Sequence, residues 1–178
     1  LRLQLSLNIS ADDLHDLHLA ARVGQLLQQY RVPAAQLIFE ITESAVMGNP
    51  EQALTILQQL RGLGISLSVD DFGTGYSSLS QLKRMPVQEL KIDQSFIRDL
   101  DEASEDAVIV RSTIDMSHSL GLKVVAEGVE YERSLRLLER WGCDTVQGYL
   151  ISRPLSAEAF ETWHGQPLNP LLLRETER

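Results

Sequence analysis

A chain of 178 residues with 43% hydrophobic side chains can bury one sizeable core, and no apolar run approaches the ~20 residues of a membrane-spanning helix, which excludes direct membrane insertion. A formal net charge of −9, from 16 Lys and Arg against 25 Asp and Glu, argues against a polymeric nucleic-acid binder, whose affinity comes from cations neutralising phosphates. The single cysteine, Cys143, excludes an internal disulfide and fits a reducing, cytoplasmic setting.

In chain order, Leu3-Gln4-Leu5-Ser6-Leu7 alternates apolar and polar residues and predicts a strand ending at Asn8, and Leu37-Ile38-Phe39 predicts another ending at Glu40. Ala53, Ile56, Leu57 and Leu60 then recur with helical spacing. Beyond Gly62 and Gly64, Ile65-Ser66-Leu67-Ser68-Val69 alternates again and predicts a strand ending at Asp70-Asp71, with the glycine-hinged loop Gly73-Thr74-Gly75 behind it. Glu89-Leu90 runs to Lys91-Ile92-Asp93, a helical face follows at Ile109, Thr113, Met116 and Leu120, and Lys123-Val124-Val125-Ala126 ends at Glu127. Leu135, Leu138 and Trp141 mark a further helix, Gly142-Cys143-Asp144 a packed turn, and Thr145-Val146 a last strand ending at Gln147. Pro167 and Pro170 before a charged end make 165–178 a tail beyond a domain at 1–164.

Strands joined by helices run parallel with right-handed crossovers, so their C-terminal ends emerge on one side. That side gathers Asn8, Glu40, Asp70, Asp71, Lys91, Asp93, Glu127 and Gln147. Any one of them alone could be a helix cap or a solvated loop residue: Asp70 or Asp71 could cap the next helix, and Glu40 and Glu43 could lie on a solvated loop. Their joint placement predicts a metal site. Adjacent carboxylates repel unless a cation lies between them, and an all-oxygen donor set suits Mg²⁺ or Mn²⁺ better than zinc. The histidines His15, His18, His118 and His164 fall in helical stretches away from the strand ends. A bound cation reverses the local potential, so a small phosphate-bearing ligand remains compatible with the acidic composition. The expected fold is α/β, a (β/α)₈ TIM-like barrel. Six of its eight βα units are countable, and the chain opens inside a strand pattern without a start methionine, so roughly two strands are expected to precede it.

The motifs Leu7-Asn8-Ile9-Ser10, Phe39-Glu40-Ile41-Thr42-Glu43-Ser44, Asp70-Asp71-Phe72-Gly73-Thr74-Gly75-Tyr76-Ser77-Ser78-Leu79, Leu90-Lys91-Ile92-Asp93, Ala126-Glu127-Gly128-Val129-Glu130 and Gln147-Gly148-Tyr149 resemble, in order and across essentially the whole chain, the EAL-type cyclic di-GMP phosphodiesterase domain. The resemblance implies a barrel enzyme that uses two Mg²⁺ or Mn²⁺ ions to hydrolyse cyclic di-GMP to linear pGpG. It also implies that Asn8, Glu40 and Asp70 hold one metal, with Asp70 bridging, Asp71 on the second metal and Glu127 there as ligand or general base. Lys91 would orient the attacking water, Asp93, Gln147 and Glu130 would contact water or substrate, and Glu43 and Thr74 would steady the loop. The family's Glu-Ala-Leu strand, which carries a further ligand, is not among these residues. A non-catalytic cyclic di-GMP receptor is the main alternative, and an unrelated Mg²⁺-dependent barrel lyase a more distant one. The resemblance implies a parent with a preceding sensory or cyclase domain, which could carry a membrane anchor, and it leaves a homodimer open.

Overall fold

The computed structural model describes residues 3–75 and 79–164; the tail expected at 165–178 and Tyr76-Ser77-Ser78 lie outside the described residues. Six strands form one sheet in chain order: β1 (Leu5–Ile9), β2 (Leu37–Thr42), β3 (Ser66–Phe72), β4 (Glu89–Ile92), β5 (Lys123–Ala126) and β6 (Thr145–Val146). Every pairing is parallel. The helices between them are α1 (Leu19–Tyr30), α2 (Glu43–Met47), α3 (Pro50–Gly62), α4 (Leu79–Leu82), α5 (Glu105–Ser119) and α6 (Glu132–Arg140), and α7 (Ala157–His164) follows β6. Each β-to-β connection carries a helix, which is what parallel strands demand. Among the described residues no helix is long and apolar enough to cross a membrane.

Asn8 and Glu40 lie inside β1 and β2, not at their ends, because both strands run one or two residues further than the polar residue suggested. β3 is the strand expected there, and it is covered on both faces. Leu67, Ser68 and Val69 are all buried, so the alternation does not mark one wet face; a parallel strand with helices on its outer face is covered on both sides. Ser66 and Ser68 alternate with the apolar residues and produce the period of two, although Ser68 is as buried as its neighbours.

α3 starts at an Asn49 cap followed by Pro50, and Ala53, Ile56, Leu57 and Leu60 form its buried stripe as expected. α5 turns a different face inward. Ala107, Val110, Thr113, Ile114 and Ser117 are buried, while Ile109 and Leu120 are exposed and Met116 is half-buried. Small residues at 107 and 117 let the helix lie close on the sheet, and a stripe chosen by apolar character alone misses that. α6 buries Leu135 and Leu138 as expected, together with Ser134 and Leu137, and leaves Trp141 half-buried.

Asp144 ties α5 to the sheet. One carboxylate oxygen accepts from the Val124 amide at 2.8 Å and lies 2.9 Å from His118 Nε2. Cys143 beside it is buried, its thiol donating to the Thr145 carbonyl at 3.2 Å, and burial pushes its pKa up to about 11, which makes it inert. Burial alone would raise the Asp144 carboxyl, but the His118 and Val124 hydrogen bonds outweigh it and hold the pKa below the ordinary value. A depressed carboxylate pKa stabilises the fold above the unfolded-state value, and the contribution is lost as pH falls through the folded one. Asp144→Asn should therefore lower Tm at neutral pH by about 2–6 °C, for one or two hydrogen bonds of about 1 kcal/mol each. The gap to wild type should shrink as pH is taken toward 3 in a thermal melt series; a gap that stays constant with pH would refute this role.

Candidate active site

The inner face of the sheet converges on one ammonium group. Lys91, on β4, is buried with its side chain 5% exposed, and its Nζ lies 2.6 Å from Glu127 Oε1, 2.9 Å from Glu40 Oε2 and 3.1 Å from Asp70 Oδ1. Those carboxylates follow β5 or stand on β2 and β3. Glu40 and Lys91 are two strands apart, so their contact requires the inner side chains of the arc to point toward a common centre. Burial would by itself lower the lysine's pKa; its hydrogen bonds to Glu127 and Glu40, with the charges of Glu127 and Asp70, override this and raise it, so the group stays cationic.

Register accounts for the convergence. Asn8 pairs with Glu40 and Glu40 with Ser68, so positions 8, 40, 68 and, two residues on, 70 share the inner face. By the same alternation Asp71 would point outward into the helix layer. It does not. The β3–β4 register shifts between Val69 and Phe72, and Asp71 has φ 53°, in the left-handed region that Asp tolerates better than most residues. This bulge turns Asp71 inward, so that one oxygen each from Asp70, Asp71 and Glu127 lies within 4.8 Å of the others. At that separation two unit charges repel by about 3–4 kcal/mol for an effective dielectric of about 20. Desolvation, reinforced by Asp70 and Asp93, raises the Asp71 pKa, and desolvation also raises that of Glu127 despite Lys91.

The residues fit a divalent cation. The donors are all oxygen, they converge, and buried Asp70 Oδ1 makes no hydrogen bond among the described residues although the ammonium is near. Asn8, Glu40, Asp70 and Asp71 line one pocket of about 480 Å³, while Glu127, Glu130 and Gln147 line a second of about 290 Å³. Asp93 sits between two neighbours: it caps the following 3₁₀ turn through the Ser95 amide at 2.9 Å and faces Asp71. Glu43 is buried at the start of α2 rather than solvated, and a Cβ on Gly75 would stand 2.7 Å from its Oε2, so it lies directly beneath the loop. Thr74 donates to the Asp71 carbonyl at 2.9 Å and closes the turn that follows the bulge.

Sequence reasoning did not single out Gln94, Arg98 or the ring of Tyr149, which complete the second pocket. Only the motif position of Tyr149 offered a signal; Gln94 opens the short 3₁₀ turn after β4 and Arg98 lies just beyond it, a stretch too short for a period to read. The histidines stay away from the site. His15 bonds the Ala11 carbonyl, His18 precedes α1, His118 pairs with Asp144 and His164 packs on Phe160.

The EAL domain family matches residues 1–154. The chain belongs to that family. It is 46% identical over 160 residues to the cyclic di-GMP phosphodiesterase NbdA of Pseudomonas aeruginosa, an alignment covering 90% of this chain and 20% of that protein. The EAL chain thus spans about a fifth of the length of that curated relative. Among solved structures it is similar to the c-di-GMP complex of the Pseudomonas aeruginosa MucR phosphodiesterase, with 43% identity and a TM-score of 0.84 over 88% of this chain and 70% of that one. Klebsiella pneumoniae BlrP1 in its manganese and cy-diGMP complex gives 34% identity and a TM-score of 0.78 over 85% of this chain and 39% of that one. The six-stranded arc is accordingly part of a TIM-like EAL barrel.

Lys91 is the only cation that the described structure places among these carboxylates. In the metal-free protein, Lys91→Ala should therefore cost about 3–5 kcal/mol of unfolding free energy, because removing one partner of a buried ion pair leaves the others uncompensated. Urea denaturation in EDTA measures this, and a loss below about 1 kcal/mol would show that the carboxylates do not depend on the lysine.

Proposed function

We propose that this EAL domain is a metal-dependent phosphodiesterase that hydrolyses cyclic di-GMP to linear pGpG. The observation that carries the reading is the bulge at Asp71, which brings two consecutive carboxylates and Glu127 within reach of one site beside a buried lysine. A receptor that only binds its ligand has no chemical need for that strained arrangement. The two pockets flank the cluster, and a cyclic dinucleotide with its scissile phosphodiester over the cluster would place one nucleoside on each side.

Asn8, Glu40, Asp70, Asp71 and Glu127 would hold two Mg²⁺ or Mn²⁺ ions. Such ions, when bound, lower the pKa of water and neutralise charge on the transferring phosphate. Lys91 keeps a fixed positive charge at the centre of the cluster, where it donates to Glu127 and Glu40 and stands ready to orient a water or a phosphate oxygen. Glu127 bridges this centre and the second pocket, and its raised pKa suits a carboxylate that exchanges a proton. Glu43 and Thr74 support the loop from below and from behind, fixing Asp71. Asp93 steadies Asp71 from the other side, and Gln147 and Glu130 present amide and carboxylate groups to the substrate. The domain would act inside a longer, multidomain signalling protein, as its relatives' lengths indicate.

Hydrolysis of cyclic di-GMP followed by chromatography should require Mg²⁺ or Mn²⁺ and stop in EDTA, with Ca²⁺ occupying the site without supporting turnover. Undiminished pGpG formation in excess EDTA would exclude the reading. Asp70→Asn and Asp71→Asn should each lower kcat about a thousandfold or more, the scale of several kcal/mol of lost charge stabilisation. Metal-free melting temperatures should stay level or rise, since one repulsive charge is gone. A collapse in metal-free stability with either variant would instead assign the pair a structural role.

A further inference from the structure

The second pocket is assembled from the loops after β4, β5 and β6, and these loops are interlocked. Gly128, at φ +71°, approaches Gln94 so closely that a Cβ would come within 2.5 Å of the Gln94 side chain. A Cβ on Gly148 would stand 2.2 Å from the Val129 carbonyl oxygen, and the Gln147 carbonyl accepts from the Val129 amide at 3.0 Å. The walls are thus braced backbone to backbone, and the cavity of about 290 Å³ is preformed.

Arg98 is the only cation among its lining residues, which also include Glu127 and Glu130. Its backbone amide is anchored to the Gln94 carbonyl at 2.9 Å, but its guanidinium has no hydrogen bond or ion pair among the described residues. In a chain of net charge −9, an uncommitted guanidinium at the mouth of a preformed cavity is available to a ligand. A guanidinium presents two parallel N–H groups, which match the O6 and N7 acceptors of guanine; adenine offers an amino donor in place of O6. Tyr149 adds an exposed ring to the same pocket, with the Arg153 guanidinium 4.4 Å from its centroid on one face. Such a ring is a stacking platform for a base.

We propose that Arg98 is a specificity-determining residue of the substrate site, its guanidinium reading O6 and N7 of a guanine seated in the second pocket and so separating guanine from adenine. The proposal rests on the reading of the substrate as a cyclic dinucleotide. The test titrates the wild-type chain, Arg98→Gln and Arg98→Lys with cyclic di-GMP and with cyclic di-AMP by calorimetry in Ca²⁺, and follows turnover of both in Mn²⁺. Arg98 is exposed, so both variants should keep the wild-type circular dichroism. Arg98→Gln should weaken cyclic di-GMP about tenfold or more while changing cyclic di-AMP less than about twofold, and Arg98→Lys, which keeps the charge but loses the fork, should behave like Arg98→Gln. Equal losses on both dinucleotides that Arg98→Lys restores would show mere attraction of an anion and overturn the proposal. So would unchanged binding in Arg98→Gln, or a wild type that binds the two ligands equally. A wild type that discriminates in Ca²⁺ but gives no product in Mn²⁺ would refute the hydrolytic function and leave the base-reading role supported.

Discussion

The site depends on a buried lysine holding three carboxylates that belong to three other strands or strand ends. Lys91 is almost fully enclosed, and its distances of 2.6–3.1 Å to Glu127, Glu40 and Asp70 make it the hub of the inner face. A buried ammonium without partners would shed its proton, and buried carboxylates without a cation would repel one another. Each side therefore makes the other tolerable, and the shape of the sheet follows from the requirement that strands two apart bring these groups into contact. Leu90 and Ile92 on the opposite face of the same strand are fully buried beneath the helices, so the hydrophobic layer holds in place the strand that presents the charge.

The second constraint is the bulge. A regular strand cannot direct two consecutive side chains to one face. By placing Asp71 at positive φ, β3 gives up a ladder position and gains a second carboxylate at the site. The loop beyond it is packed tightly against its supports: Gly73, at φ +100°, lies against the Phe96 ring, and Gly75 lies over Glu43. Strain at Asp71 is thus held by contacts from α2 and from the loop after β4.

Much of this was legible in the sequence because parallel α/β architecture writes itself twice, once in apolar strand cores and once in polar residues at one end. Asn8, Glu40, Asp70, Lys91 and Glu127 were readable as a set for that reason, and the motif order identified the family. The conformation of Asp71 was not readable: the sequence shows two carboxylates but not that the backbone must leave the strand to unite them. The inward face of α5 was misread because Ala107 and Ser117 contribute closeness of approach rather than apolar area, and Ile109 was counted where it is exposed. Glu40 and Glu43 each looked compatible with a solvated loop, since only the three-dimensional arrangement reveals the lysine beside one and the glycine loop above the other. Arg98 and the Asp144–His118 tie depend on contacts between segments far apart in the chain.

Among the described residues β1 pairs only with β2, and Leu5 and Leu7 on it are exposed alongside Leu3. Its other edge pairs with no described strand and is flanked by these apolar side chains, the kind of edge to which a further strand adds. Asn8 sits on that same strand and lines the larger pocket. Any strand that zips onto β1 would therefore do two jobs at once, shielding the leucines and bringing its own side chains alongside Asn8. Whatever occupies that edge, a further segment of the same polypeptide or another chain, thereby also decides what stands next to the carboxylates.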